Sequence, residues 1–363
     1  MRSVVLTANG KMESVEVSQS ALPPDHCRVV IHSAGICSSD VPRAFDGGAY
    51  RYPLVLGHEL AGVIETVGDG TDGHLRAGDR VTVFPLLPCF ECVACRAGSY
   101  SRCSRYDYYG SRCDGGFTER LDVRSWNLLK VPDGVSLDDA SLTEPTAVVI
   151  HALGRLGFLD SRPPPSDLLI LGGGFLGLLA VRLMAVAHAG LPVTVVDRNA
   201  WKLEMAAADG ASTAAVPDDA SWDAFLAKRE GTAAAVLEAV GAPTTFAAAL
   251  RLAGQGGAVV WMGNLSGELV LPAAEVSQVL RKELSVRGTW NSGYDGDRPS
   301  DWTNALQWMA SGLRPSELVS LRVDLDGLPD ALRRLHDHKQ RVATEHLIKV
   351  VVHPNPSALG HAA

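Results

Sequence analysis

From Leu168 onward, short apolar runs alternate with longer stretches of helical period, and this alternation constrains the fold more than any other feature. "LLIL" precedes "GFLGLLAVRLMAVAHAG", "VTVVD" precedes "NAWKLEMAAADG", and "AAAVLEAV" precedes "TTFAAALRLAG". "GGAVVWMG" and "ELSVRGTW" follow as further strands. Such a succession builds βαβ units and a doubly wound parallel α/β sheet. Leu168 to Gly190 is apolar enough to suggest a membrane span, but Arg182 and His188 interrupt it and a glycine cluster breaks it early. A buried strand turning into a buried helix fits better than a bilayer crossing.

At that turn lies "GGGFLG", which places Gly172, Gly174 and Gly177 in a G-x-G-x-x-G arrangement. An apolar strand precedes it, a helix opens on it, and Asp197 ends the next strand, the context that makes the motif a dinucleotide fingerprint. Glycines allow a tight turn and close approach of a pyrophosphate, and the helix N-terminus supplies free N–H groups. Gly172, Gly174, Phe175, Leu176 and Gly177, with Asp197 and Arg198, are therefore the candidate cofactor contacts. A carboxylate at 197 would accept hydrogen bonds from the ribose hydroxyls and repel a 2′-phosphate, which favours NAD over NADP. Arg198 is the counter-argument, since a guanidinium there would receive that phosphate.

Residues 1 to about 140 read differently. Short alternating runs such as "CRVVIHSAG", "LAGVIETVG" and "GDRVTVFP" predict an all-β region without early helices. Longer helical segments begin near Glu144, and "SRPPPSD" is a stiff proline-rich connector. The formal net charge of -8 leaves no basic footprint for nucleic acid. The N-terminus turns polar too soon for a signal peptide, which favours a cytoplasmic protein.

Four cysteines fall within sixteen residues in "PCFECVACRAGSYSRC". In a reducing compartment such a cluster binds metal or does redox work more often than it forms disulfides, and the total of seven cysteines is odd. Zinc takes four tetrahedral thiolates, and C-x2-C spacing lets neighbours on a tight turn point at one ion. Cys89, Cys92, Cys95 and Cys103 would fill all four positions, a closed and hence structural site. An iron–sulfur cluster is the alternative. Cys27 and Cys113 stand outside the pattern and read as small buried hydrophobes.

A second constellation lies in the β-rich region: Cys37 in "GICSSD", His58 and Glu59 in "GHE", and Glu144 in "LTEP". Each alone has a bland reading as core thiol, core histidine, surface charge or helix-start carboxylate. Together they offer zinc a thiolate, an imidazole and a carboxylate and leave a fourth position open.

With these motifs in order, the chain resembles the zinc-dependent medium-chain alcohol and polyol dehydrogenases over nearly its whole length. "GHELAGVIETVG" is similar to that family's G-H-E-x2-G-x5-G signature and is followed by "GDRV", the four-cysteine lobe and the nucleotide fold. "PLLPCF", "YDYYGSRCDGGF", "TEP" and "RKELSVRGTW" look most like galactitol-1-phosphate dehydrogenases and related sugar-alcohol enzymes. The resemblance implies a GroES-like catalytic domain over residues 1–148 and a Rossmann domain over 149–289. Residues 290–363 would return to the catalytic domain and end as a tail.

It also implies two zinc ions per chain and NAD. Cys37, His58 and Glu144 would hold the catalytic zinc, with Glu59 competing for the carboxylate position, and Ser39 would take the substrate's proton. Many relatives carry a histidine five residues after the cysteine to pass that proton onward; this chain has Pro42. Asp40 would orient Ser39 or merely stabilise its turn.

The implied substrate is a small polyhydroxylated molecule: a sugar alcohol, cyclitol, sugar or glycoside with an oxidisable secondary hydroxyl. A phosphorylated polyol is the alternative, with Arg43, Arg51 and Arg112 available for phosphate. Trp290 and Asp295 are further substrate-contact candidates, although a solvated loop is the favoured reading of that stretch. A zinc-free quinone reductase is disfavoured by the cysteine lobe, and a non-catalytic zinc-binding relative by Cys37, His58 and Ser39. The family's habit of associating through the nucleotide domain implies a homodimer or homotetramer.

Overall fold

The computed structural model describes residues 1–71, 73–159, 163–296, 298–339 and 345–355. The chain divides into two compact units, Met1–Pro145 with Gly293–Ala363, and Thr146–Ser292. The first residues of the proline-rich connector and the C-terminal tail lie outside the described residues.

In the first unit the strands are β1 (Arg2–Ala8), β2 (Lys11–Glu16), β3 (His26–Ile36), β4 (Leu54–Val55), β5 (Glu59–Val67), β6 (Arg80–Val83), β7 (Leu86–Leu87), β8 (Asp107–Tyr108), β9 (Arg120–Arg124) and β10 (Leu128–Lys130). Cys27, Val29 and Ile31 of β3 point inward at every second position and are fully buried, the period-two pattern of a half-covered strand. β3 is the hub of a seven-stranded sheet, pairing antiparallel with β5 and β9.

The reading of this region as all-β needs correction. Helices α1 (Asp40–Phe45), α2 (Val93–Arg96) and α3 (Leu137–Ser141) punctuate it. None is longer than six residues, too short to print a 3.6-residue period. Helix α4 (Thr143–Leu156) then starts in the first unit and continues into the second.

The second unit holds β11 (Leu168–Leu171), α5 (Phe175–Ala187), β12 (Val193–Asp197), α6 (Ala200–Ala208), β13 (Ser212–Ala215), α7 (Asp219–Arg229), β14 (Ala233–Glu238), α8 (Pro243–Leu252), β15 (Ala253–Trp261), α9 (Ala273–Arg281) and β16 (Ser285–Gly288). All strand pairs are parallel, in the order β13-β12-β11-β14-β15-β16. The central β11 is buried at every residue because helices cover both faces of a parallel sheet. Strand order reverses between β11 and β14, the topological switch point at which open α/β sheets bind ligands.

The chain returns to the first unit through α10 (Asp301–Ala310), β17 (Val319–Val323), α11 (Leu328–Lys339) and β18 (Lys349–Val352). β18 joins the large sheet by pairing antiparallel with the end of β3, Val350 opposite Ile36. That pairing brings the C-terminal strand against the segment that carries Cys37. Among the described residues no helix is long and apolar enough to cross a membrane.

Candidate active site

Cys37 follows β3 directly, and His58 precedes β5, the strand paired with it. The pairing sets Gly35 opposite Glu59. A Cβ at Gly35 would collide with the Glu59 carboxylate, so only glycine leaves room for that side chain. One donor atom each from Cys37, His58 and Glu59 falls within 4.8 Å of the others, and His58 and Glu59 are buried. Thiol, imidazole and carboxylate withdrawn from water in this way suit a borderline divalent cation.

Glu144, at the start of α4, is also buried, and its Oε1 accepts a hydrogen bond of 3.2 Å from the Tyr108 hydroxyl. Its donor atom is not part of the 4.8 Å group. The two carboxylates differ in charge balance. Glu59 is ion-paired with the buried Lys349 of β18, whose Nζ also donates to the Ile36 carbonyl at 3.0 Å. Burial pushes the Glu144 carboxyl up to about 7, and Glu59 adds to the shift while His58 opposes it.

Asp40 lies beneath this group, fully buried. Its Oδ2 accepts from the Cys37 N–H at 3.0 Å, and its Oδ1 stands 3.3 Å from His58 Nδ1 and 3.4 Å from Arg43 Nη1. Burial alone would raise the Asp40 carboxyl, but His58, Arg43 and the Cys37 N–H outweigh it and hold it low. For His58, burial would lower the imidazole, yet Asp40 and then Cys37 hold it well above its ordinary value. Ser39 Oγ donates to Cys37 Sγ at 3.3 Å and accepts from Arg43 Nη1 at 2.7 Å.

Sequence reasoning missed Lys349 and Tyr108. The first had a signal: a lysine in the apolar run "LIKVVV" needs a buried acid if that run is an interior strand. Of the three arginines considered for phosphate, only Arg43 touches this group of side chains among the contacts described. Arg51 pairs with Asp114 at 2.9 Å, and the Arg112 guanidinium stacks over Tyr50 and Tyr106. Trp290 is 61% exposed and Asp295 pairs with Arg298 at 3.3 Å.

The four-cysteine lobe brings the sulfurs of Cys89, Cys92, Cys95 and Cys103 within 4.8 Å of one another without a disulfide. Cys92 and Cys95 are 3.5 Å apart and Cys89 and Cys95 4.0 Å. A tetrahedron of thiolates about 2.3 Å from zinc has an edge of about 3.8 Å, so the sulfurs fit a single ion. Backbone N–H groups of Cys95 and Ser104 hold the Cys92 thiol down to about 6, as ligation requires. Cys27 is fully buried, and burial pushes the Cys113 thiol up to about 12, so neither is poised to react.

In the second unit, Gly172 adopts φ +102°, which side chains resist. A Cβ on Gly177 would strike the Gly172 carbonyl, whereas one on Gly174 meets nothing within 4 Å. The loop is thus tight below and open above, and α5 begins at Phe175, so Phe175, Leu176 and Gly177 carry first-turn N–H groups toward the opening. Asp197 Oδ2 accepts from the Gly173 N–H at 2.7 Å and Oδ1 from Asn199 N–H at 2.8 Å, which fixes the carboxylate beside the loop. Arg198 is half-exposed, with Asp219 at 3.8 Å. Loop and carboxylate fit a dinucleotide.

Fold and site together define a two-unit, dinucleotide-type oxidoreductase with a cysteine lobe. Residues 23–133 match the family described as alcohol dehydrogenase GroES-like domain, and residues 176–311 match zinc-binding dehydrogenase. The chain belongs to this zinc-type dehydrogenase family and is an oxidoreductase. It is 35% identical to galactitol 1-phosphate 5-dehydrogenase of Escherichia coli K12 over 92% of this chain and 96% of that one. The crystal structure of galactitol-1-phosphate dehydrogenase from Escherichia coli superposes with a TM-score of 0.85 at 33% identity, covering 98% of this chain and all of that one. A dehydrogenase from E. coli CFT073 complexed with NADH gives TM-score 0.84 at 25% identity, covering 97% and 99%. A zinc-binding dehydrogenase from Sinorhizobium meliloti 1021 bound to NADP gives 0.84 at 27%, with the same coverage.

Proposed function

We propose that this chain oxidises a secondary hydroxyl of a small polyhydroxylated substrate by hydride transfer to NAD, with one structural and one catalytic zinc. The carrying observation is the donor group of Cys37, His58 and Glu59, with the Ser39 hydroxyl 3.3 Å from Cys37 Sγ and the buried Glu144 bonded to Tyr108. Cys89, Cys92, Cys95 and Cys103 would hold the structural ion. Cys37, His58 and Glu144 would hold the catalytic one. Glu59 is nearer in the three-donor group, but its charge is already balanced by Lys349, whereas Glu144 meets only a phenol hydroxyl among the described hydrogen bonds.

A zinc ion bound there supplies Lewis acidity to the substrate hydroxyl. The protein's own groups do the rest. Ser39 would take the hydroxyl proton, and Arg43, which donates to Ser39 Oγ, would aim that hydroxyl and ease loss of its own proton. Pro42 supplies no imidazole for the next transfer, so the proton would leave through solvent or a ribose hydroxyl. Asp197 supports NAD over NADP, because its carboxylate is held beside the glycine loop while Arg198 turns to Asp219.

Arg43 also favours a second reading, a phosphorylated polyol, since the 35% identical relative is named for one. Association into a cytoplasmic homodimer or homotetramer is part of the proposal. Helix α9 buries none of its residues fully, and Val270, Val276 and Leu280 beside and on it are exposed.

The test follows NADH absorbance with polyols, cyclitols, sugars and their phosphates. Turnover with NAD on an unphosphorylated polyol supports the main reading, and turnover on the phosphate alone supports the second. Turnover with NADP but not NAD sinks the assignment of Asp197.

A further inference from the structure

A separate group of side chains lies where β3, α3 and the segment after β18 meet. One donor atom from each of His32, Asp138 and His353 falls within 4.8 Å of the others. His353 is 96% buried by its 4% exposure, and the Nε2 atoms of both histidines are buried without a hydrogen-bond partner.

The proton inventory makes this unusual. His353 Nδ1 lies 3.1 Å from the His32 carbonyl, which only accepts, so Nδ1 carries the hydrogen and the neutral ring bears its lone pair on Nε2. Ser33 Oγ gives its single hydrogen to Asp138 Oδ1 at 2.5 Å. It must then accept from His32 Nδ1 at 2.8 Å, which puts the second lone pair on His32 Nε2. His353 Nε2 stands 3.5 Å from Asp138 Oδ1, two acceptors facing one another. With both rings neutral, His353 Nε2 and the carboxylate thus face one another without a hydrogen between them, and His32 brings a further ring nitrogen into the same 4.8 Å group.

We infer that His32, Asp138 and His353 form a third metal site, taking zinc or a similar borderline divalent cation. Imidazoles whose other nitrogen is anchored to a backbone carbonyl or hydroxyl are the usual form of metal-bound histidine. The 3.5 Å separation matches the edge of about 3.4 Å expected for donors about 2.1 Å from a tetrahedral ion. Arg322 Nε holds the other carboxylate oxygen at 3.0 Å, so Asp138 offers Oδ1 alone. An ion here would clamp three segments remote in sequence, a structural role distinct from the cysteine lobe and from the Cys37 cluster.

The test equilibrates the full-length protein, purified without chelators, with micromolar free zinc and counts zinc per chain by mass spectrometry. The wild type should hold one equivalent more than either His353→Gln or His32→Gln, and both variants should lose that part of the zinc-dependent rise in Tm. Equal counts, or an extra equivalent that survives both substitutions, would overturn the site. Should either variant fail to fold, wild-type crystals decide: an anomalous zinc peak among the three side chains supports the inference. A map without a peak there refutes it.

Discussion

The cysteine lobe and the Cys37 cluster both gather side chains able to bind a metal, yet they are built in opposite ways. All four donors of the lobe come from fifteen consecutive residues, Cys89 to Cys103, and a short turn suffices to converge them. Cys37, His58 and Glu59 come from the end of β3 and the start of β5, the neighbouring candidate Glu144 from the start of α4, and Lys349, which compensates Glu59, from β18. On the proposed reading the local cluster needs its metal to stabilise a small lobe, whereas the dispersed one is assembled by the sheet and needs its metal for chemistry.

The strongest way to break this contrast is to remove one thiolate from each. Cys37→Ala should cost activity by a factor on the order of 10³ or more, through loss of the Lewis acid, while the Tm stays near wild type. Cys103→Ala should instead lower the Tm sharply, since metal binding at such a lobe supplies folding free energy. Metal analysis with thermal melts and turnover checks both. A Cys37→Ala protein that unfolds, or a Cys103→Ala protein of unchanged Tm, would erase the distinction.

Within the dispersed site the same contrast separates the two glutamates. Glu144→Gln should remove one zinc equivalent and most activity with little change in stability. Glu59→Gln should leave Lys349 buried without its counter-charge, and stranding a buried ion costs about 3–5 kcal/mol. Denaturant melts and zinc counts on the two variants would show it. The reverse pattern, zinc lost with Glu59→Gln and kept with Glu144→Gln, makes Glu59 the ligand.

Legibility follows the same division. The lobe and the glycine loop can be read because their residues are consecutive and their spacing carries the geometry. The strands "LLIL" and "VTVVD" announce themselves as apolar runs. β13, "STAA", does not, because its small residues are mostly exposed and print no apolar pattern. The Glu59–Lys349 pair was hidden because register between β3, β5 and β18 is a tertiary fact. His32 and His353 are similarly silent: neither carries a motif, and only the pairing of β18 with β3 brings them together.

A smaller effect sharpens the contrast at its least obvious point, the support behind the ligands. In the lobe, Cys103 Sγ accepts from the Cys89 N–H at 3.3 Å and Cys89 Sγ receives the exposed Arg105 at 3.8 Å, so its sulfurs are held by backbone and surface groups. Behind Cys37 and His58 stands the buried carboxylate of Asp40. Asp40→Asn keeps the shape and removes the charge that orients and strengthens the imidazole, and loss of such a partner typically costs about 10–100-fold in metal affinity or activity. A chelator titration should therefore strip one zinc from Asp40→Asn at lower chelator concentration than from wild type, with the lobe's zinc leaving at the same point in both. Superimposable curves would reduce Asp40 to the turn-stabilising acceptor of the Cys37 N–H.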